Sequence, residues 1–359
     1  MFERVVRLLP PGATIVLSLD DTLAPGKGPK VFGLGSHLDA VRSTKRHRIF
    51  TFGHVWVVLT VVVHLPFSRR PWALPVLFRL YRGHKDCVRS AQGYRKKTEL
   101  ARELLDVVVG WLEGRRCEVA ADGAYCNDTV TRGLPENLVV FGRMRPDAVL
   151  TAAPPPRRRK AGRPRLRGER LPTPREVARR DDTVWEESEA RLYRRARSMR
   201  YTEMVAQWYR ACGTRMLKIV IVPVATGNAE VQVFFCTDPK LSAEHVLERY
   251  ASRWAIEVTF RDLKQLLGFA QSQARARRAV ERTAPFVGLL FTLVVLWYIE
   301  AGHRSRFDVW PLRPWYRSKT DPSFEDMLWA MRRAVLASGI LDPDHGFSNL
   351  QNPPPPPPD

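Results

Sequence analysis

The sequence predicts an α/β fold, organised as one large domain with an insertion or as two domains. Short apolar or β-branched runs, which are typical of strands, lie on either side of a stretch whose apolar residues have helical spacing. Two of the strand-like runs end on an aspartate. A basic, proline-rich stretch then separates these elements from two further strand-like runs and a long helix.

The first aspartate follows a short buried strand at residues 14–19, which runs directly into Asp20, Asp21 and Thr22. A carboxylate at the end of a strand can face an open site. The run at 55–65 is β-branched throughout, which favours a central position in a sheet. The other elements predicted in this half are a loop or hairpin at 24–48, a strand at 73–80, a helix at 97–112, a strand at 117–121 ending on Asp122, and a strand at 138–141.

The composition changes abruptly at residue 154. Residues 154–180 contain 11 Lys or Arg and two Glu among many prolines, so the sequence predicts a mobile basic segment without a core. The acidic cluster at 181–189 is expected to form a solvated, charged helix. Strands are then predicted at 218–224 and 231–236, and helices at 242–268, 284–300 and 324–336.

The charge of the chain indicates a polyanionic partner. Among 359 residues, 58 Lys and Arg stand against 37 Asp and Glu, a formal net charge of +21. Nucleic acid is the first candidate and an anionic membrane surface the second. Five cysteines without a CxxC pair argue against a disulfide framework or a structural zinc site, and favour a reducing cytoplasm. The apolar run Phe286 to Ile299 is too short for a bilayer span, so no membrane is expected.

The most informative motif lies in the helix predicted at 242–268. At 100° per residue, Tyr250, Arg253, Glu257 and Lys264 fall within an arc of about 60°. One carboxylate therefore lies among two cations and a phenol, as in a site that holds a metal beside a phosphate. Ordinary helix-stabilising pairs of Glu257 with Arg253 or Arg261 remain the alternative interpretation.

The motif resembles the Y-(2)-R-(3)-E-(6)-K signature of a branch of the DDE transposases of bacterial insertion sequences, and all its spacings match. Two other landmarks agree with this family. Asp20, Asp21 and Thr22 resemble its D-x-T motif, and Ala121, Asp122 and Tyr125 resemble its A-D-x-x-Y context. The resemblance covers roughly residues 14–300.

The resemblance implies a ribonuclease H-like core, an α/β fold with a mixed sheet that is flanked by helices and interrupted by an insertion domain with β-strands. In this core Asp20, Asp122 and Glu257 are expected to bind two divalent ions, Mg²⁺ or Mn²⁺. Clustered carboxylates repel one another unless a cation neutralises them, and Mg²⁺ favours oxygen ligands and phosphate. The choice between Asp20 and Asp21 stays open. Tyr250, Arg253 and Lys264 are expected to position phosphates of the DNA.

The resemblance also implies a division of the chain. The expected parts are a first part of the catalytic core at 1–150, a basic linker and insertion region at 151–240, the signature helix and the rest of the core at 241–305, and a C-terminal helix with a proline-rich tail at 306–359. Within the linker, KAGRPR resembles an AT-hook core, which would place Arg163 and Arg165 on DNA. A plain basic linker is slightly favoured over that interpretation.

The function expected from the resemblance is metal-dependent cleavage at the ends of a transposon, followed by strand transfer to target DNA. A homodimer acting on double-stranded DNA in the bacterial cytoplasm, associated with the nucleoid, is expected. Few residues precede Asp20, so the chain is expected to be N-terminally short. The alternatives are a non-catalytic DNA-binding transposase remnant and a ribonuclease H-like nuclease.

Overall fold

The long β-branched run of the sequence forms the strand on which the sheet is built. The computed structural model describes residues 1–28, 30–44, 46–112, 114–156, 163–192, 195–224, 230–310 and 319–338. The strands are β1 (Ile15–Pro25), β2 (Gly35–Leu38), β3 (Phe50–His64), β4 (Pro71–Tyr81), β5 (Cys117–Ala121), β6 (Leu138–Met144), β7 (Leu150–Thr151), β8 (Arg170–Leu171), β9 (Glu186–Leu192), β10 (Arg195–Gln207), β11 (Met216–Pro223) and β12 (Val231–Cys236). Nine consecutive residues of β3 are buried, as its β-branched sequence predicts.

The helices follow the strands or lie between them. They are α1 (Phe2–Val6), α2 (His84–Arg89), α3 (Lys97–Trp111), α4 (Asp128–Thr131), α5 (Pro174–Ala178), α6 (Tyr209–Cys212), α7 (Ala243–Ser252), α8 (Trp254–Leu266), α9 (Arg277–Glu300) and α10 (Phe324–Ala337). Two short 3₁₀ turns lie at Gly123–Tyr125 and Gly302–Arg304. The chain forms two compact units, Met1–Leu289 and Leu290–Asp359, and the whole sheet belongs to the first.

The core of the sheet has the strand order β4-β3-β1-β5-β6. β3 runs antiparallel to both β1 and β4, whereas β5 is parallel to both β1 and β6. In chain order these are the third, second, first, fourth and fifth long strands, which is the ribonuclease H-like arrangement. The predicted fold is therefore confirmed.

The strands predicted for the insertion region continue the same sheet. β12 pairs antiparallel with β6, and the order continues through β11, β10, β7 and β8, with β9 beside β10. Five of the six residues of β12 are buried, which is typical of a strand covered on both faces. The domain boundaries expected from the sequence stay a prediction.

The acidic cluster at 181–189 was expected to be helical, and this prediction is wrong. Residues 186–192 form β9, in which Glu187 lies opposite Arg200 of β10. The hydroxyl of Tyr201 donates to Oε2 of Glu186 over 3.2 Å. Cross-strand partners of opposite charge favour the pairing of β9 with β10. A prediction from the local sequence of one segment does not include such partners.

The basic stretch at 154–180 is more ordered than the sequence predicts. Residues 157–162 lie outside the described residues, and residues 163–169 contain neither helix nor strand. The short helix α5 follows, because Thr173 caps it, Glu176 completes a capping box and proline occupies its first position. Val177 packs against the buried apolar cluster around Leu217 and Phe235, so the expectation of no core is wrong for this part.

The apolar helix near the C-terminus is longer than predicted. α9 contains 24 residues and continues through Pro285. By length and composition, the stretch Arg277–Arg304 could cross a membrane, a property that core helices of soluble proteins share.

Gly142 provides a test of how the turn after Asp122 packs on the sheet. A Cβ atom at this position of β6 would lie 2.1 Å from Sγ of Cys126 and 3.0 Å from the ring of Phe235. We expect Gly142→Ala to lower the free energy of unfolding by about 1–3 kcal/mol, because the buried Cys126 and Phe235 would have to move. Urea denaturation of the purified variant measures this change.

Gly110→Ala is the matched control. Gly110 lies in α3 with open space around its Cα, so the same added methyl should stabilise the protein by about 1 kcal/mol through helix propensity. Equal effects of the two substitutions would contradict the packing described for Gly142.

Candidate active site

The register of two parallel strands brings the first two acids together. The last pair in the register of β1 and β5 is Leu19 with Ala121, so Asp20 and Asp122 are the next residues on the two chains. Neighbouring strands lie about 4.8 Å apart. The charge of Asp122 acts on both Asp20 and Arg253, which confirms the proximity of these groups.

Asp20 and Asp21 point to opposite faces of the sheet, because side chains alternate along a strand. On one face, Oδ2 of Asp20 lies 2.5 Å from Nη1 of Arg253. On the other, Asp21 accepts hydrogen bonds from Nζ of Lys97 at 2.7 Å and from the hydroxyl of Tyr125 at 2.6 Å. The sequence predicts a strand that ends just before these acids. In the structure β1 continues to Pro25, so both acids lie within the strand. Asp20 is thus the acid that faces Asp122, which supports its choice over Asp21.

Tyr125 ties the turn that follows Asp122 to strand β1. Its side chain is buried, and its hydroxyl donates to Oδ1 of Asp21. The 3₁₀ turn Gly123–Tyr125 lies between that contact and Asp122. The hydrogen bond therefore fixes Asp122 relative to the strand that carries Asp20.

Glu257 joins the site through Arg253. Nη2 of Arg253 lies 2.8 Å from Oε1 of Glu257, while Nη1 contacts Asp20. The helix predicted over 242–268 is interrupted at Arg253, between α7 and α8. The helix-stabilising interpretation of the motif explains the contact with Glu257, but it does not explain the contact with Asp20, which is 233 residues away in sequence. Arg261 pairs with Asp262 and not with Glu257.

The pKa of the Asp20 carboxyl is raised to about 7, mainly by burial and to a smaller extent by the charges of Asp21 and Asp122. The charge of Arg253 and the backbone N–H of Asp21 act in the opposite direction. The raised pKa means that the cost of burying the Asp20 charge exceeds the stabilisation that Arg253 gives it.

The donor atoms of these residues suit a divalent cation. The donors are carboxylate oxygens, which Mg²⁺ and Mn²⁺ prefer, and the site has surplus negative charge. In the described part of the chain, no three acidic, histidine or cysteine side chains have the spacing of a bound metal. The guanidinium of Arg253 lies between Asp20 and Glu257 and partly balances their charge.

The structure brings Tyr250 to this site but places Lys264 apart from it. The guanidinium of Arg253 lies 5.7 Å from the ring centre of Tyr250, and burial raises the pKa of that phenol to about 12. Lys264 lies seven residues beyond Glu257, about 10 Å along the helix axis. Burial lowers the pKa of Lys264, and the charge that acts on it is that of Asp39.

Sequence reasoning missed a buried carboxylate that holds α7 on the sheet. The side chain of Glu118 in β5 is 3% exposed, and it accepts a hydrogen bond from Nε2 of His245 at 3.1 Å. Nε of Arg249 lies 2.6 Å from its Oε2. Burial raises the pKa of Glu118, but the hydrogen bond from His245 and the charge of Arg249 lower it more, so the net shift is downward. A charged residue inside the apolar run CEVAA was the available sequence signal.

Arg163 and Arg165, predicted to bind DNA, are exposed and lie outside any helix or strand. The preceding residues of KAGRPR, Lys160 to Gly162, lie outside the described residues. The prediction for these two arginines therefore stays a prediction.

Comparison with known proteins identifies the family. The sequence profile of the DDE superfamily endonucleases matches residues 1–207, which is more than half of the chain. Residues 180–300 match the profile of an archaeal transposase family, ISC1217. No curated protein matches the chain.

Among solved structures, the chain is similar to a piggyBac transposase, determined by cryo-electron microscopy in a synaptic complex with hairpin DNA. The sequences are 11% identical and the TM-score is 0.45. The match covers 96% of this chain and 58% of the piggyBac chain.

The role of Glu118 predicts a pH dependence of stability. Its pKa in the folded protein lies below the value of 4.5 of an ordinary Glu side chain. Its contribution to stability is therefore present above that pH and is lost as the pH falls through the lower folded pKa. We expect Glu118→Gln to cost about 3 kcal/mol at pH 7, because His245 and Arg249 lose their charged partner. This difference should shrink below about pH 4.5, where the unfolded wild type takes up a proton.

Urea denaturation at several pH values between 7 and 4 measures the difference. Glu136→Gln, which alters an exposed carboxylate, is the control and should change stability by less than about 0.5 kcal/mol. A destabilisation by Glu118→Gln that is the same at every pH would contradict the ionised state assigned to Glu118.

Proposed function

The chain belongs to the DDE superfamily endonucleases, and on that basis we propose that it is a DNA transposase that cuts at the ends of its element and transfers the 3′-hydroxyls to target DNA. The observation that carries this proposal is the convergence of three acids from distant segments. Asp20 in β1 and Glu257 in α8 contact one guanidinium, and Asp122 at the end of β5 lies beside Asp20 and acts on the same guanidinium through its charge. The spacing of Tyr250, Arg253, Glu257 and Lys264 supports the Y-(2)-R-(3)-E-(6)-K branch of the bacterial insertion sequences.

The three carboxylates are the proposed ligands of two Mg²⁺ or Mn²⁺ ions. Such ions, when bound, supply an activated water or 3′-hydroxyl and stabilise the leaving oxygen of an in-line displacement. The protein contributes the placement of the ligands. The strand register fixes Asp20 beside Asp122, and the pair of Arg249 and His245 with Glu118 fixes the helix that leads to Glu257.

Arg253 and Tyr250 are the proposed contacts to the DNA phosphates next to the scissile bond. Nε of Arg253 is buried and has no hydrogen-bond partner among the described atoms, so a phosphate oxygen that reached it would satisfy this donor. The Tyr250 hydroxyl keeps its proton at neutral pH, because burial raises its pKa to about 12, and can therefore donate a hydrogen bond.

Double-stranded DNA is the proposed partner, both as element ends and as target. The net charge of +21 supports a polyanionic ligand. We also propose that the protein acts as a homodimer on paired ends, in the bacterial cytoplasm.

Metal-dependent nicking is the direct test of this function. We expect the protein, incubated with DNA that carries the terminal repeats of its element, to nick that DNA in Mg²⁺ or Mn²⁺ and not in EDTA. Glu257→Gln should abolish nicking, because the amide removes one charge of the proposed metal site. Denaturing electrophoresis of end-labelled DNA measures the products.

The exposed Glu136 provides the matched control, and Glu136→Gln should nick like the wild type. Nicking by Glu257→Gln at the wild-type rate would overturn the assignment of the site. DNA binding with no metal-dependent nicking by the wild type would indicate a non-catalytic DNA-binding protein.

A second pair of variants separates the two neighbouring aspartates. We expect Asp20→Asn to abolish nicking, since it removes a proposed metal ligand. Asp21→Asn should lower the nicking rate by about 10–100-fold and not abolish it, because Asp21 only positions Asp122 through Tyr125. Single-turnover nicking rates distinguish the two, and the reverse order would make Asp21 the ligand.

A further inference from the structure

The row of residues that contains Asp20 and Asp122 continues to an arginine on the next strand. In the parallel register of β5 and β6, Ala120 pairs with Phe141, so Asp122 and Arg143 both lie two residues further along. A Cβ built on Gly123, the neighbour of Asp122, would lie 3.8 Å from Cβ of Arg143. Asp20, Asp122 and Arg143 thus occupy equivalent places on three adjacent strands.

Arg143 lies on the same face of the sheet as the acids and Tyr250. It pairs with Phe234 across β6 and β12, and directly opposed residues share a face. The ring of Phe234 lies 4.9 Å from that of Tyr250, and the guanidinium of Arg143 lies 5.9 Å from the Phe234 ring. Arg143 and Tyr250 therefore flank the same side of the site as Asp122.

The charge of Arg143 is available to a ligand. Its side chain is exposed, and no described carboxylate lies within ion-pair distance of it. Arg253, in contrast, already contacts two carboxylates. The other cation of the sequence signature, Lys264, lies about two helical turns beyond Glu257.

We propose that Arg143 binds a phosphate of the DNA on the Asp122 side of the active site, in a subsite that it forms with Tyr250. The guanidinium can grip two phosphate oxygens at once, which fixes the direction of the DNA strand across the row of acids. This inference rests on the proposed function. The phosphate contact nearest Asp122 is then made by a residue of β6, outside the helices α7 and α8 that carry the signature residues.

The test compares three variants of the full chain with the wild type. Arg143→Ala removes the guanidinium, and Arg143→Lys keeps the charge without the fork. Arg145→Ala is the matched control, because Arg145 is exposed two residues further on but forms an ion pair with Asp147 at 2.7 Å. Binding of the element-end DNA is measured at several salt concentrations in EDTA, and kcat and KM of nicking are measured in Mg²⁺.

For Arg143→Ala we expect about tenfold weaker DNA binding, a KM raised by a similar factor, and a slope of log affinity against log salt that is smaller by about one. Arg143→Lys should restore the slope but only part of the affinity, because it cannot bind bidentately. Arg145→Ala should change neither the slope nor KM. Should Arg143→Ala melt at a lower temperature than the wild type, Arg143→Gln, which retains most of the side-chain stem, provides the same comparison.

An unchanged salt slope and KM in Arg143→Ala, or equal changes in Arg145→Ala, would overturn the inference. Failure of the proposed function gives a different result, since the wild type would then show no metal-dependent nicking. The slopes measured in EDTA would still report whether Arg143 contacts DNA phosphate.

Discussion

The site depends on the double contact of Arg253 with Asp20 and Glu257. The pair with Asp20 is largely buried, with the Arg253 side chain 13% exposed and that of Asp20 18% exposed, whereas Glu257 is 33% exposed. Removing charges from water is costly, and this cost is partly offset because one guanidinium contacts two carboxylates with separate nitrogens. The contact fastens α8 to β1, two segments that no local interaction would bring together.

The position of Arg253 is itself set by an ionic stripe on the preceding helix. His245, Arg249 and Arg253 are spaced four residues apart, which places them on one side of the α7 region. The first two contact the buried Glu118, and the third contacts Asp20. Glu118 and Asp122 differ by four positions on one strand and so face the same side. The cations of this stripe therefore hold both the buried Glu118 and the site acid Asp20, on the face of the sheet to which Glu118 and Asp122 of the β5 segment point.

The sequence is informative where the signal is local and fails where it depends on a distant partner. The β-branched run of β3 and the strand β5 lie where they were predicted, because burial alone determines their pattern. The role of Glu118 could not be predicted, since His245 is 127 residues away. The signature helix shows a different limit. A helical projection counts angles and not distance along the axis. It therefore grouped Lys264 with Glu257, which lies about two turns away on α8, and with Tyr250, which lies beyond the break at Arg253.

The adjacent acids Asp20 and Asp21 have different roles because they point to opposite faces of β1: Asp20 faces the candidate site, and Asp21 faces the structural contacts with Lys97 and Tyr125. Each is a carboxylate in the same strand, but Asp21 has both oxygens bonded, to Lys97 and to Tyr125. Asp20 has the backbone N–H of Asp21 on one oxygen and shares Arg253 with Glu257 on the other. The scaffold acid is therefore neutralised by its own cation, while Asp20 and Glu257 share one cation. This difference in charge between the two faces of the strand favours Asp20 as the proposed metal ligand and leaves Asp21 to hold the turn that positions Asp122.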